Sequence, residues 1–330
     1  MSLTSKSPKA VLLYALVVAQ KAFPSYRHKN SPKKFTQQQL FACLVLKAFL
    51  RMDYRGVTAH LKDCPDLQET IGLSVVPHYT TIQKAAQRLL LLASVQKLLD
   101  RTVHLQLHGR KRIPIAAIDS SGLEATSASA YFVKRRASVD SPWKKMVYHN
   151  YPKLAVVADA SEHFVLAFHA GKGPRPDVDE FADLMQAAAQ RVAIRTVVAD
   201  AGYDSEANHR TAREQLNMRS VIPAKHGRPT HKPANGRYRR LMQKRFDRKT
   251  YRKRSQIETV MSMIKRRLGS FLRGRTYHSR CRELRLMTIT HNLMILWRLI
   301  LFYRARMSPF RPFLPFPCER WHWKSTRSGQ

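Results

Sequence analysis

The sequence predicts an α/β protein with a mixed sheet, preceded by an all-helical region. Three observations lead there. Up to about residue 110 the apolar residues recur with helical spacing and few strand-like runs occur. At residue 113 the texture changes to short apolar runs of strand length, alternating with amphipathic stretches. With 330 residues and 44% hydrophobic content, the chain can bury a full-sized core in one large domain or two ordinary ones.

The helical region can be read in order. Thr36 and Gln39 form a capping-box pattern ahead of the apolar run 40–46. Short helices fit residues 54–62 and 66–71, the second stopped by Gly72. Thr80 and Gln83 form another capping-box pattern, and residues 82–99 are again helical. A short helix, a Gly-containing turn and a well-capped helix are the outline of a helix-turn-helix. The polar face of the last helix carries Gln83, Lys84, Gln87 and Arg88. Gln can read adenine edges, whereas Arg and Lys can read guanine or grip phosphate. A plain helical bundle with solvated charges fits the same pattern.

From residue 113 onward, strand runs fall at 113–118, 151–158 and 163–169, with Ala160-Ser161-Glu162 as a hairpin turn. An amphipathic helix fits 177–192, a strand 196–199, a helix 205–216 and a strand 220–223. Strand, two-stranded hairpin, helix, strand, helix, strand, helix is the order of the ribonuclease-H-like fold. The expected organisation is a helical, helix-turn-helix-like DNA-binding domain over 1–112, a catalytic domain over 113–295, and a basic, aromatic helix end and tail over 296–330.

Charge narrows the function. Fifty-nine Lys and Arg against 22 Asp and Glu give a net +37, which excludes a typical metabolic enzyme or an acidic binding protein. A field this positive points to a polyanion, most commonly nucleic acid. Residues 225–275 concentrate it, with 18 Lys or Arg against only Asp247 and Glu258. Cys43, Cys64, Cys281 and Cys318 form no CxxC pair and read as packing thiols; Cys318 and His322 alone make a weak metal pair. The apolar run 11–18 lacks a clear cleavage site, and Arg285, His291 and Arg298 interrupt the apolar stretch 284–303. No membrane role is expected, and the expected location is a cytoplasm with access to DNA.

Two acids stand out by position. Asp119 follows an apolar strand and precedes Ser120-Ser121-Gly122; Asp200 follows Val197-Val198-Ala199 and precedes Ala201-Gly202-Tyr203. Carboxylates at strand ends sit where α/β sheets place ligand sites. Two close carboxylates repel each other unless a cation lies between them, which suggests a divalent metal. Asp159, at the end of the second strand, is a weaker rival, and Asp204 reads as an N-terminal helix acid. The third acid, Glu258, stands on a basic helix. At ~100° per residue Tyr251, Arg254, Glu258 and Lys265 share one arc beside the apolar stripe of Ile257, Val260, Met261, Ile264 and Leu268. An ordinary Arg254–Glu258 surface pair fits that spacing equally well.

The pattern Tyr-x2-Arg-x3-Glu-x6-Lys of Tyr251, Arg254, Glu258 and Lys265, with the two aspartate contexts in order, resembles the signature of a group of bacterial insertion-sequence transposases. The resemblance runs from about residue 36 to 295. It implies an Asp-Asp-Glu catalytic triad of Asp119, Asp200 and Glu258 on a ribonuclease-H-like core, holding two Mg²⁺ ions for which Mn²⁺ could substitute. It also implies cleavage at the element's terminal inverted repeats, joining of the 3′-OH to target DNA, a homodimer or higher assembly on DNA, and a nucleoid-associated bacterial location. Lys265 and Arg254 would hold phosphates beside the cut, and Tyr251 would stack or hydrogen-bond there. The interval from Asp200 to Glu258 leaves no room for the β-domain that some relatives insert. A structure-specific nuclease of the same fold and a non-catalytic basic DNA-binding protein are the rival readings.

Overall fold

The computed structural model describes residues 4–30, 32–125, 151–173, 175–225 and 233–306, with side chains up to residue 296. The expected Pro-rich loop over 227–236 lies partly outside these residues, and the tail with Cys318 and His322 wholly so.

The N-terminal region is helical as expected: α1 (Pro8–Ala22), α2 (Gln37–Phe49), α3 (Tyr54–Asp63), α4 (Pro65–Thr70), α5 (Tyr79–Leu89) and α6 (Leu92–Leu107). The Thr36 capping box forms in full. Thr36 Oγ1 accepts from the Gln39 amide (3.2 Å) and Gln39 Oε1 accepts from the Thr36 amide (2.9 Å). The expected cap at Thr80 does not form; His78 is the N-cap of α5, accepting from the Thr80 amide. The single helix expected over 82–99 is two helices. Its break at Leu90 is stabilised from outside, because Arg285 Nη1 donates to the Leu90 carbonyl at 3.0 Å.

Five strands follow: β1 (Arg112–Gly122), β2 (Pro152–Asp159), β3 (Val165–Lys172), β4 (Ala193–Val198) and β5 (Arg219–Val221). Their order across the sheet is β3-β2-β1-β4-β5, with β1–β2 and β2–β3 antiparallel and β1–β4 and β4–β5 parallel. The fold is the mixed α/β sheet of the ribonuclease-H-like class. β2 is buried along its whole length, as a near-central strand covered on both faces should be.

The remaining helices are α7 (Phe181–Ala189), α8 (Glu206–Arg210), α9 (Arg237–Lys244), α10 (Arg248–Tyr251), α11 (Ser255–Leu268) and α12 (Tyr277–Arg306). Three depart from the regular helices expected. The segment 177–192 opens with a 3₁₀ turn, Asp177–Glu180, before α7. The segment 205–216 passes from α8 into a π turn, Thr211–Gln215. There His209 and Arg213 both reach Ser220 on β5, and those tertiary bonds shape the turn. A 3₁₀ turn, Arg252–Arg254, separates Tyr251 from α11. At ~120° per residue it displaces Tyr251 from the continuous arc expected.

α12 joins the helical region to the sheet, packing on α1, α2 and α6 and also on β2 and β3. β3 is an edge strand, and Asn292 completes it. Asn292 Oδ1 accepts from the Val165 amide (2.9 Å) and its Nδ2 donates to the Val165 carbonyl (2.9 Å) and to Thr102 Oγ1 (3.3 Å). The neighbouring His291, whose pKa burial pushes down to about 4, donates through Nε2 to the His163 carbonyl at 3.0 Å. A second link comes from Arg51, whose guanidinium caps the carbonyls of Arg266 and Arg267 at the C-terminus of α11. Among the described residues, no helix is long and apolar enough to cross a membrane.

Asn292→Ala leaves two buried backbone groups of Val165 without partners, each worth about 1–3 kcal/mol. The expected outcome is a loss of about 2–4 kcal/mol in urea unfolding, with the slope unchanged. An unaltered midpoint would show that Asn292 does not complete the edge strand.

Candidate active site

The parallel pairing of β1 and β4 builds the site. Its register runs from Arg112↔Ala193 to Ala117↔Val198, so Asp119 and Asp200 each follow the last pair by two residues. Asp119 is not at a strand end, as the sequence suggested. β1 continues to Gly122 through its antiparallel pairing with β2, where Asp119 opposes Val156. The ending that matters is that of β4, whose departure opens the edge beside Asp119.

Each aspartate is held by local backbone. Asp119 Oδ1 accepts from the Ser120 amide at 2.8 Å. Asp200 caps the 3₁₀ turn Ala201–Tyr203, with Oδ1 accepting from the Gly202 amide at 2.8 Å. A Cβ at position 202 would stand 2.9 Å from that oxygen, which explains the glycine. Burial pushes the Asp119 carboxyl up to about 6 despite the Ser120 hydrogen bond, and the charges of Asp200 and Asp177 add to the rise.

Glu258 comes from α11, which packs on β1 through buried Ile257, Val260, Met261, Ile264 and Leu268. Its place in the first helical turn suits an acid, since that end carries the positive pole of the helix. Arg254 links the acids, pairing with Glu258 Oε1 through Nη2 while its Nη1 lies 3.9 Å from Asp119 Oδ2. Lys265 Nζ donates to Ser121 Oγ at 2.7 Å, two residues beyond Asp119. Past α11 the chain pairs with the extension of β1: Glu124 N donates to Ser270 O (3.1 Å) and Leu272 N to Glu124 O (2.8 Å). Both ends of α11 are thus tied to the strand that carries Asp119.

Tyr251 packs its ring on Phe246, centroids 5.0 Å apart, and still acts on the nearby Arg254 guanidinium. On α5, Gln83, Lys84 and Gln87 are exposed and Arg88 is half-buried, opposite the packed face of Ile82, Ala85, Ala86 and Leu89. A groove beside this face is lined by Lys84, Gln87 and Arg88 together with Arg27 and Lys97.

The sequence reading missed a group of side chains around Asp119. Asp177 Oδ1 accepts from Ser120 Oγ (2.5 Å) and pairs with Lys153 Nζ (2.7 Å), which also lies 3.5 Å from Glu180 Oε2. Among the described residues the buried Tyr203 hydroxyl has no hydrogen-bond partner, and burial together with the charges of Asp177, Asp119, Glu180 and Asp200 raises its pKa. The signals were present: a lysine inside the apolar run of β2, and acids crowded at 177–180.

Asp159 is not part of this site. It opposes Ala116, toward the other end of β1, and accepts from the Ser161 amide at 2.7 Å to close the β2–β3 hairpin. Asp204 is not a helix cap either; Ser205 caps α8. The fully buried Asp204 carboxylate instead pairs with Arg239 Nη2 (2.7 Å), accepts from the Lys225 amide (2.8 Å) and faces His209 Nε2 at 3.6 Å. It anchors the basic segment that leads toward α11.

Residues 110–295 match the family described as transposase DDE domain. The chain belongs to the DDE transposase family. Among curated proteins none matches it. Solved structures with a weak likeness include the Mos1 transposase paired-end complex with left transposon end, at 14% identity over 73% of this chain and 80% of that one, TM-score 0.22. Another is a pre-cleavage Mos1 transpososome, at 13% identity over 86% and 83%, TM-score 0.22. At that TM-score neither says anything about this chain's geometry or partners.

Divalent metal ions are general in the DDE transposase family, and the side chains present suit one. The donors are hard carboxylate oxygens, and Asp119 carries a raised pKa beside a second aspartate, the condition a cation relieves. Among the described residues no three acidic, His or Cys side chains are drawn together tightly enough to enclose one ion. Glu258 is held in the ion pair with Arg254.

Burial would raise the pKa of Asp204, but the contacts with His209, Arg239 and Lys225 outweigh it and hold the group at about 2, below its ordinary 3.8. A depressed carboxylate contributes stability that is complete above its unfolded pKa and lost as pH falls toward the folded value. That difference corresponds to about 2 kcal/mol. Asp204→Asn is therefore expected to unfold at lower denaturant than the wild type at pH 7, with the gap nearly closed at pH close to 2. A gap of equal size at both would show that the Asp204 charge is not what stabilises this corner.

Proposed function

We propose that this chain is a DNA transposase of the DDE type that cuts at the ends of an insertion sequence and joins the 3′-OH to target DNA, with Asp119, Asp200 and Glu258 as its catalytic and metal-holding acids. The observation that supports this reading best is that Asp200 lies near enough to Asp119 to raise its pKa, while Arg254 reaches from Glu258 toward Asp119. Asp119 lies on β1, Asp200 lies two residues past the end of the parallel strand β4, and Glu258 lies on a helix whose C-terminal end is bonded to β1 and its extension. Mg²⁺, or Mn²⁺ in its place, would be held by these carboxylates and would supply Lewis acidity at the phosphoryl oxygen and a lowered pKa for the attacking water or 3′-OH.

The chain's own groups position the DNA. Lys265, fixed against Ser121, offers a point charge to a phosphate near Asp119. Arg254 offers a planar fork to the same backbone. Tyr251, stacked on Phe246 beside Arg254, would stack or hydrogen-bond to the DNA there. The 18 Lys and Arg of residues 225–275 supply the field that holds the duplex. In the N-terminal region, Gln83, Lys84, Gln87 and Arg88 on α5 would read the terminal repeats as the second helix of a helix-turn-helix. Two ends to be processed imply two chains on DNA. We assign residues 1–112 to end binding, 113–295 to catalysis and 296–330 to a basic helix end and tail, in a protein working at the nucleoid.

Asp119→Asn, Asp200→Asn and Glu258→Gln are each expected to lower metal-dependent nicking of supercoiled DNA by at least about a thousand-fold, with gel-shift affinity retained. Nicking at wild-type rate by any one of them removes that residue from the triad. Joining of a labelled, pre-cut end to a target plasmid separates a transposase from a nuclease of the same fold.

Alanine variants of Gln83, Lys84, Gln87 and Arg88 are expected to change the preferred end sequence in selection from a randomised library. Truncating a side chain that reads a base should weaken the preference at that base pair by about 1–3 kcal/mol. An unchanged preference across all four would leave α5 a bundle helix with solvated charges.

A further inference from the structure

Between Asp119 and Glu258 stands a cation that belongs to the chain. Arg254 pairs with Glu258 and reaches toward Asp119, and its side chain is 24% exposed. Its neighbours Arg252 and Lys253 are exposed. The 3₁₀ turn that interrupts the helix lies against β1, and it turns the third of three consecutive cations toward the carboxylates. Arg254 cannot be neutralised in water, because a guanidinium does not lose its proton. A dication drawing on Glu258 therefore meets a fixed positive charge already paired there, and two cations sharing one carboxylate repel each other.

Phosphate offers Arg254 another partner. A planar fork binds a phosphodiester as well as it binds a carboxylate, and the phosphates of a bound duplex would run past this turn. Resting on the site assignment proposed above, we infer that Arg254 is a built-in counter-cation of the active-site acids. DNA phosphate draws it from Glu258 and so frees that acid for the metal. Metal loading and DNA binding are then coupled through one side chain, and linkage makes the coupling reciprocal. Arg254 thus acts as a positioning residue that keeps the metal site weak until substrate is bound.

The test is Mn²⁺ binding, read from the electron paramagnetic resonance signal of the free ion, on full-length wild type, Arg254→Gln, Arg254→Lys, Asp119→Asn and Glu258→Gln. Each is measured with and without a short duplex, and Mn²⁺ held by the duplex alone is subtracted. Circular dichroism checks that each variant is folded. Wild type is expected to bind Mn²⁺ about five-fold tighter or more when the duplex is present, the scale of breaking one partly exposed ion pair. Arg254→Gln is expected to show that tighter binding without DNA and to gain little from it. Arg254→Lys keeps the charge but not the fork, and should fall between the two. Mn²⁺ binding by Arg254→Gln no tighter than wild type, or a duplex-dependent gain equal to that of wild type, overturns the inference. Asp119→Asn and Glu258→Gln separate this failure from failure of the site assignment. If both bind Mn²⁺ as wild type does, the acids are not the metal site. If both bind it more weakly while Arg254→Gln is unchanged, only the coupling is wrong.

Discussion

The pairing of β1 with β4 is the constraint on which the rest of the structure depends. Parallel strands need a crossover, and here the crossover runs through the β2–β3 hairpin and α7 before the chain returns beside β1. Only that return brings Asp119 and Asp200 together, 81 positions apart in the chain. The cost is local: two carboxylates at one sheet edge, one of them buried enough for its pKa to reach about 6. Buried strands on both sides keep the pair in place despite that cost, since β2 is buried throughout and β4 is buried over Thr196–Val198.

Charge shapes the surroundings of this edge. Lys153 is buried in β2 and lies between Asp177 and Glu180; Arg254 links Glu258 and Asp119; Lys265 leans on Ser121. A chain with a net charge of +37 thus sets one cation between two acids at two places near this edge. A buried pair such as Lys153–Glu180 does little for net stability, but removing one partner leaves an uncompensated charge. The contacts of Arg254 with Asp119, Lys265 with Ser121 and Lys153 with Asp177 also tie the helix carrying Glu258 and the turn carrying Asp177 to the sheet.

The helical region is held to that sheet rather than merely preceding it. α12 packs on helices of the N-terminal region and on the edge of the sheet, and Asn292 supplies the hydrogen bonds that a sixth strand would have supplied. Arg51 caps the end of α11 from the other side.

Much of this could be read along the chain. Alternating apolar runs and amphipathic stretches marked every strand, because burial on a sheet leaves a local imprint that needs no partner to be seen. The Thr36 capping box, the glycine after Asp200 and the spacing of Arg254, Glu258 and Lys265 were likewise local, and the family match over residues 110–295 agrees with the transposase signature they carry. What sequence could not decide was set by contacts between distant residues. Arg285 binds Leu90 O where α5 ends, and Ser220 bonds His209 of α8 and Arg213 of the π turn that follows it. Asp204 serves an ion network rather than a cap because Arg239 and Lys225 reach it across the fold. Asp177 and Lys153 joined the surroundings of Asp119 only once β2 and the turn after β3 were packed beside it. Helical and strand periods record which face of an element is buried, whereas the partner that each polar side chain meets is a property of the folded arrangement alone.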